Sequence, residues 1–91
     1  MVFVSIYSLP PENRTAAEDR FKQTGGKPPK GIKMIGRWHS AGGGRGVTIF
    51  ESDDPQALTQ FALGWSDLME LEIFPVVDDQ ELVQALERAG R

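Results

Sequence analysis

Residues 69–77 read MELEIFPVV, and the proline at position 75 decides the fold. Leu71 and Ile73 alternate with Glu70, Glu72 and Phe74, the period-two pattern of a strand with one drier face. Pro75 falls inside that strand. Proline has no N–H to offer a neighbouring strand, so the segment belongs at the edge of a sheet.

Working back along the chain, Leu58, Phe61, Ala62, Trp65 and Leu68 recur at helical spacing. Asp54-Pro55 ahead of them supplies a capping carboxylate and then a residue suited to the first helical position. Before that helix, Val47–Ser52 reads as a strand. A glycine-rich turn joins it to another at Ile32–Ser40, where Ile32, Met34, Gly36 and Trp38 alternate with Lys33, Ile35, Arg37 and His39. A helix from Glu12 to Thr24 precedes, with Ala17 and Phe21 one turn apart and Gly25 as its stop. The first strand is Met1–Leu9, alternating Val2, Val4 and Ile6 with Phe3, Ser5 and Tyr7. After residue 77, Asp78 with Glu81 three residues on forms a capping-box pattern, opening a last helix through Leu82, Val83 and Leu86. Strand, helix, strand, strand, helix, strand is the ferredoxin-like split βαβ order of an α+β domain. It commonly forms a four-stranded antiparallel sheet of order 4-1-3-2 with both helices on one face. That order puts the fourth strand at an edge, as Pro75 requires.

The 91 residues are 40% hydrophobic and 25% charged, and they contain no cysteine. This composition favours a single ordinary globular domain over 1–91 and excludes disulfides, thiolate chemistry and cysteine-based metal sites. No apolar run is long enough to span a membrane, and no basic region precedes the apolar N-terminus, so a soluble cytoplasmic protein is expected. The net charge of −3 hides an asymmetry: residues 1–46 hold eight Lys/Arg against three Asp/Glu, and residues 47–91 hold two against ten. In so short a chain the halves interleave around one core, so their attraction is internal or intersubunit. An acidic total argues against a nucleic-acid partner, whose phosphates need Lys and Arg.

Two helices cover only one face of a four-stranded sheet. Val2, Val4, Ile6, Met34, Ile49, Leu71 and Ile73 are the expected helix-facing set. The opposite face then carries Phe3, Ser5, Tyr7, Ile35, Arg37, His39, Phe50, Glu70, Glu72 and Phe74, too apolar to leave in water. A homodimer whose sheets face each other solves this and encloses a barrel-like cavity. Lys33 and Arg37 on the second strand, and Glu70 and Glu72 on the fourth, suggest how the edges meet.

The stretches Phe50-Glu51-Ser52-Asp53-Asp54-Pro55, Trp65-Ser66-Asp67-Leu68 and Glu72-Ile73-Phe74-Pro75-Val76, with Pro29-Lys30-Gly31-Ile32 and Trp38 upstream, resemble the bacterial domain-of-unknown-function family 3303. The resemblance runs from the N-terminus to about the capping box at Asp78. That family is similar to the dimeric α+β barrel superfamily, which includes small antibiotic-biosynthesis-type monooxygenases and haem-degrading enzymes. The resemblance implies the fold and the dimer more than any chemistry. The Gly42–Gly46 turn departs from the family pattern.

Tyr7, Arg37, Trp38, His39 and Glu72 are the candidate ligand-binding residues. His39, the only histidine, reads either as a general base or haem ligand facing the cavity or as a hydrogen-bonded strand residue. The second is favoured, because no second histidine or fixed carboxylate partner can be identified. Arg37, Tyr7 and Glu72 either converge on a ligand or simply pair Arg37 with Glu72. Trp38 belongs equally to a core or a cavity mouth. The segment Ala41–Gly46 fits neither phosphate-loop template and leads into a strand, so it reads as a hairpin. Asp53-Asp54 and Asp78-Asp79 read as caps, and Phe61 and Trp65 as core. No catalytic residue, metal site or cofactor is assigned. The expectation is a small homodimer, non-catalytic, binding a small apolar or aromatic molecule between the sheets. The alternatives are a cofactor-independent monooxygenase or haem-handling enzyme, and a protein-interaction module.

Overall fold

The computed structural model describes all of residues 1–91. In chain order it holds β1 (Val2–Ser8), a 3-10 turn (Pro11–Asn13), α1 (Arg14–Thr24), β2 (Lys33–His39), β3 (Arg45–Glu51), α2 (Pro55–Leu63), β4 (Glu70–Val76) and α3 (Asp79–Arg88). The sheet runs β2-β3-β1-β4 with every pair antiparallel, which is the expected 4-1-3-2 order counted from the other edge. β4 is an edge strand, and Pro75 sits opposite Phe3 on its one paired side.

The helix starts follow the capping chemistry. Asp54 Oδ1 accepts the amides of Gln56 and Ala57 at 3.0 and 3.1 Å. At the head of α3 the Glu81 amide donates to Asp78 at 2.8 Å, while the Asp78 amide donates to the Glu81 side chain at 3.2 Å. Gly25, at φ 69°, ends α1 by donating its amide to the Phe21 carbonyl at 2.7 Å. α2 stops at Leu63, short of the Leu68 that its apolar spacing suggested. Two residues of the first helical segment hold the intervening loop. Asn13 Nδ2 donates to the Leu68 carbonyl at 2.9 Å, and Arg20 donates to the Gly64 carbonyl at 2.8 Å and grips Asp67 with both terminal nitrogens at 2.7 and 2.8 Å.

The assignment of sheet faces is corrected for β1 and β3. Phe3 lies opposite Phe50, Ser5 opposite Thr48 and Tyr7 opposite Gly46. Phe50, with no exposed surface, stacks on Phe3 at 6.0 Å and meets Phe61 of α2 edge-on at 6.2 Å. Phe3, Ser5, Tyr7, Thr48 and Phe50 therefore face the helices, and alternation sends Val2, Val4, Ile6, Val47 and Ile49 to the open face. In β2 a bulge between Met34 and Gly36 inserts Ile35, so that Met34 pairs with Phe50 and Arg37 with Thr48. The extra residue shifts the alternation, which turns Arg37 and His39 toward the helices and Trp38 away from them. Met34, Leu71 and Ile73 face the helices, and Glu70, Glu72 and Phe74 the open side, as expected.

Phe3, Phe50 and Phe61 fill one end of the space between sheet and helices. Toward the other end the inner positions are Ser5, Thr48, Gly46 and, on α1, the buried Ala17. These side chains are too small to close the gap, which leaves a cavity.

On the outside, Val2, Val4, Ile6, Trp38, Val47, Ile49, Phe74 and Val76 form a nearly continuous apolar sheet face that no helix covers. Every residue of α3 is also exposed, its apolar Leu82, Val83 and Leu86 included. The radius of gyration is 15.3 Å, against about 12 Å for a closed domain of this length.

Candidate functional site

The cavity between the inner sheet face and α1 has a volume of about 580 Å³, inside the roughly 300–1000 Å³ typical of small-molecule sites. Phe61, Trp65, Met69, Leu71, Ile73 and Phe21 give it apolar and aromatic walls.

Three of the five candidate residues meet in this cavity. Tyr7 Oη and His39 Nδ1 lie 2.8 Å apart, with Phe21 edge-on to the imidazole at 5.7 Å. Gly46 makes that placement possible, because a Cβ there would overlap the Tyr7 ring. Arg37 is held by the carbonyls of Gly26 and Gly25 at 2.8 and 3.1 Å, with its guanidinium 5.0 Å from the centre of the Phe21 ring. Gly26 serves Arg37 as Gly46 serves Tyr7: its φ is +58°, and a Cβ would stand 2.7 Å from an Arg37 nitrogen. Burial raises the Tyr7 phenol above its usual value, an effect partly offset by the positive charge of Arg37, and burial lowers Arg37. The phenol is thus held neutral beside an imidazole and a guanidinium. Together they offer a ligand both donors and, on the free imidazole nitrogen, a proton donor or acceptor set by the tautomer.

Trp38 and Glu72 lie on the other side of the sheet. The Trp38 indole covers Gly36 on the open face and is 55% exposed; Glu72 faces the same way beside Ile6. Arg37 pairs with the loop carbonyls, so the alternative of an Arg37–Glu72 pair does not arise. Tyr7, Arg37 and His39 thus come together inside a single chain, on the helix side of the sheet.

The lining also contains residues that were not singled out as site residues. Arg14, Ala17, Glu18, Phe21 and Lys22 line the cavity from α1. Their 0, 3, 4, 7, 8 spacing marks one helix face turned to the sheet. Three of these five residues are charged, where a purely structural helix carries aliphatic side chains. That charge pattern was the available signal. Phe61 and Trp65 form cavity wall as well as core. Trp65 leaves the helical register after Gly64, and Arg20 stacks on it at 5.6 Å. No group of three or more His, Cys, Asp or Glu side chains comes together to hold a metal ion, and no helix is long and apolar enough to cross a membrane.

The split βαβ order and the β2-β3-β1-β4 antiparallel sheet place the chain in the ferredoxin-like α+β class of fold. Solved structures that share this fold include two bacterial proteins. The Rv0793 protein of Mycobacterium tuberculosis superposes with a TM-score of 0.55 at 19% identity, over 86% of this chain and 96% of its own. A proposed antibiotic biosynthesis monooxygenase from Deinococcus radiodurans superposes with a TM-score of 0.50 at 12% identity, over 86% and 94%. At these identities the likeness is one of fold. No curated protein matches the chain. The chain belongs to the domain-of-unknown-function family 3303, which it matches over residues 1–90. The match takes in the C-terminal helix, beyond the stretch over which the motifs alone carried the resemblance.

Proposed function

We propose that the protein is a homodimer, formed through the open sheet face, in which each protomer binds one small aromatic or apolar molecule in the cavity between sheet and helices. One observation carries the ligand reading: the Tyr7–His39 hydrogen bond and Arg37 border a hollow of about 580 Å³ walled by aromatic side chains. A few fixed polar groups in an otherwise apolar pocket are the usual means of orienting a small ligand. Calorimetric titration with 1-naphthylmethanol tests it. Saturable binding is expected, and it is abolished in Thr48→Leu, which fills the hollow from its floor. Absence of saturable binding, or binding that survives in Thr48→Leu, would overturn the reading.

A second reading is oxidation of a phenolic ligand by molecular oxygen, in line with the monooxygenase description of the Deinococcus radiodurans protein. The observation favouring it is again the Tyr7–His39 pair, since an imidazole at the cavity wall can take a phenol proton. Oxygen uptake with a dihydroxynaphthalene above the uncatalysed rate, lost in His39→Ala, is the expected sign. Uptake at the uncatalysed rate removes this reading and leaves the binding one standing.

A further inference from the structure

The cavity wall holds an arginine that forms no ion pair within the chain. Arg14 opens α1, and its guanidinium runs along the cavity wall beneath the Gly43–Gly44 turn. Its Nε is buried and has no hydrogen-bond partner. Cβ atoms on Gly43 and Gly44 would stand 3.3 and 3.1 Å from the guanidinium nitrogens, and both glycines have positive φ (78° and 85°). The hairpin is thus shaped to let the arginine lie close under its backbone. The chain forms two ion pairs, Met1 with Asp53 and Arg20 with Asp67, and Arg14 is in neither. Glu18, one turn along α1, is the only acidic residue lining the cavity, against Arg14, Lys22 and Arg37. Arg37 is already committed to two carbonyls.

Arg14 lines the cavity without an ion-pair partner, and a planar guanidinium matches a carboxylate with two parallel hydrogen bonds. The aromatic walls select the other half of the ligand. We infer that the cavity takes an aromatic carboxylate, with its acid group on Arg14 and its ring among Phe21, Phe61 and Trp65. This rests on the cavity being the binding site and adds the charge of what enters it. Ala41–Gly46, which fits no phosphate loop, thereby acquires a role: it roofs the arginine that reads the anion.

The test is a calorimetric comparison of 1-naphthoate with neutral 1-naphthylmethanol, in the full chain and in variants. The carboxylate should bind at least about tenfold tighter, as a charge-assisted pair in a partly buried site implies. Arg14→Gln should remove that preference while leaving 1-naphthylmethanol binding in place, which also shows that the variant is folded. Lys22→Gln, on the exposed rim of the same helix face, should keep most of it. Equal affinities for the two probes, or a preference that survives in Arg14→Gln, would overturn the assignment. So would an equal loss in Lys22→Gln, since a diffuse positive field would then be enough. If neither probe binds, the cavity reading fails first and this one with it; if only the alcohol binds, the cavity reading stands and Arg14 is not the anion site.

Discussion

Tyr7 is the only tyrosine in the chain, so its ionisation can be followed by phenolate absorbance without interference. Desolvation pushes its phenol above the ordinary value of 10.0, and Arg37 pulls it back. Because the folded-state value is the raised one, the protonated phenol's contribution to stability is fully present below pH 10 and is lost as pH rises through the folded value. The native midpoint is therefore expected above 10, returning to about 10 in denaturant. Replacing Arg37 with Met should move the native midpoint further up, since the cation that favours phenolate is gone. A midpoint at the denatured value, or a downward move in Arg37→Met, would contradict the arrangement of the cavity wall. Two glycines set this geometry: Gly46 leaves room for the tyrosine ring and Gly26 for the guanidinium.

At the scale of elements, α1 carries out two tasks with two faces. One face lines the cavity; the other uses Arg20 to fasten the Gly64–Leu68 loop, and with it Trp65, in place. The hydrogen bonds from Arg20 hold the Asp67 carboxyl below its usual value of 3.8. A depressed carboxylate stabilises the fold above its unfolded-state value and ceases to do so as pH falls through the folded one. Arg20→Ala should therefore lower the melting temperature near neutral pH and make little difference under strongly acidic conditions. Equal losses at both pH values would mean that Arg20 acts through its stacking on Trp65 and not through the ion pair. Both partners are partly solvated, so the neutral-pH effect is expected to be small and to shrink with added salt.

The elements were legible in the sequence because each is announced locally: Pro75 marks the edge, Asp54-Pro55 and the Asp78/Glu81 pair open helices, and Gly25 closes one. The faces were not, and the reason is physical. Alternation shows that a strand has two different sides, but β1 offers Val2, Val4 and Ile6 on one and Phe3, Ser5 and Tyr7 on the other, and both are apolar enough to be buried. Only the register decides, through Phe3 opposite Phe50 and Phe50 against Phe61. In β2 the bulge at Met34–Gly36 changes the parity midway, so no regular period could place Arg37 on Met34's side of the sheet and Trp38 on the other. Tyr7, Arg37 and His39 line one cavity because both assignments moved together, whereas Glu72 stayed on the open face and Trp38 joined it there. Arg14 lay unnoticed on a helix whose cavity-facing positions carry charge.

For the whole molecule, the corrected faces strengthen the case for a second copy. The open side now holds three branched aliphatics of β1, two of β3, and Trp38 and Phe74, without the arginine, histidine and serine once assigned to it. Lys33 and Arg45 remain to meet Glu70 and Glu72 at its margins. The chain exposes 6530 Å², while a monomer of 10.1 kDa is expected to expose about 5300 Å². The excess, on the order of 1200 Å², exceeds the roughly 800 Å² that each partner buries in a standard interface. The sheet face and the apolar stripe of α3 are the two surfaces that can supply it. Light scattering at micromolar concentration should give twice the chain mass. Val4→Glu places a lone carboxylate at the centre of that face, next to Ile49 and Phe74 on the neighbouring strands. Burying it unpaired should cost about 3 kcal/mol or more, over a hundredfold in the dimer's Kd, and release monomers. Removing residues 78–91 should weaken the dimer through the loss of Leu82, Val83 and Leu86 while leaving the Tyr7 titration unchanged, because no residue of that segment lines the cavity. A wild-type chain that is monomeric at that concentration would refute the dimer, and truncation that shifts Tyr7 would refute the independence of the two faces.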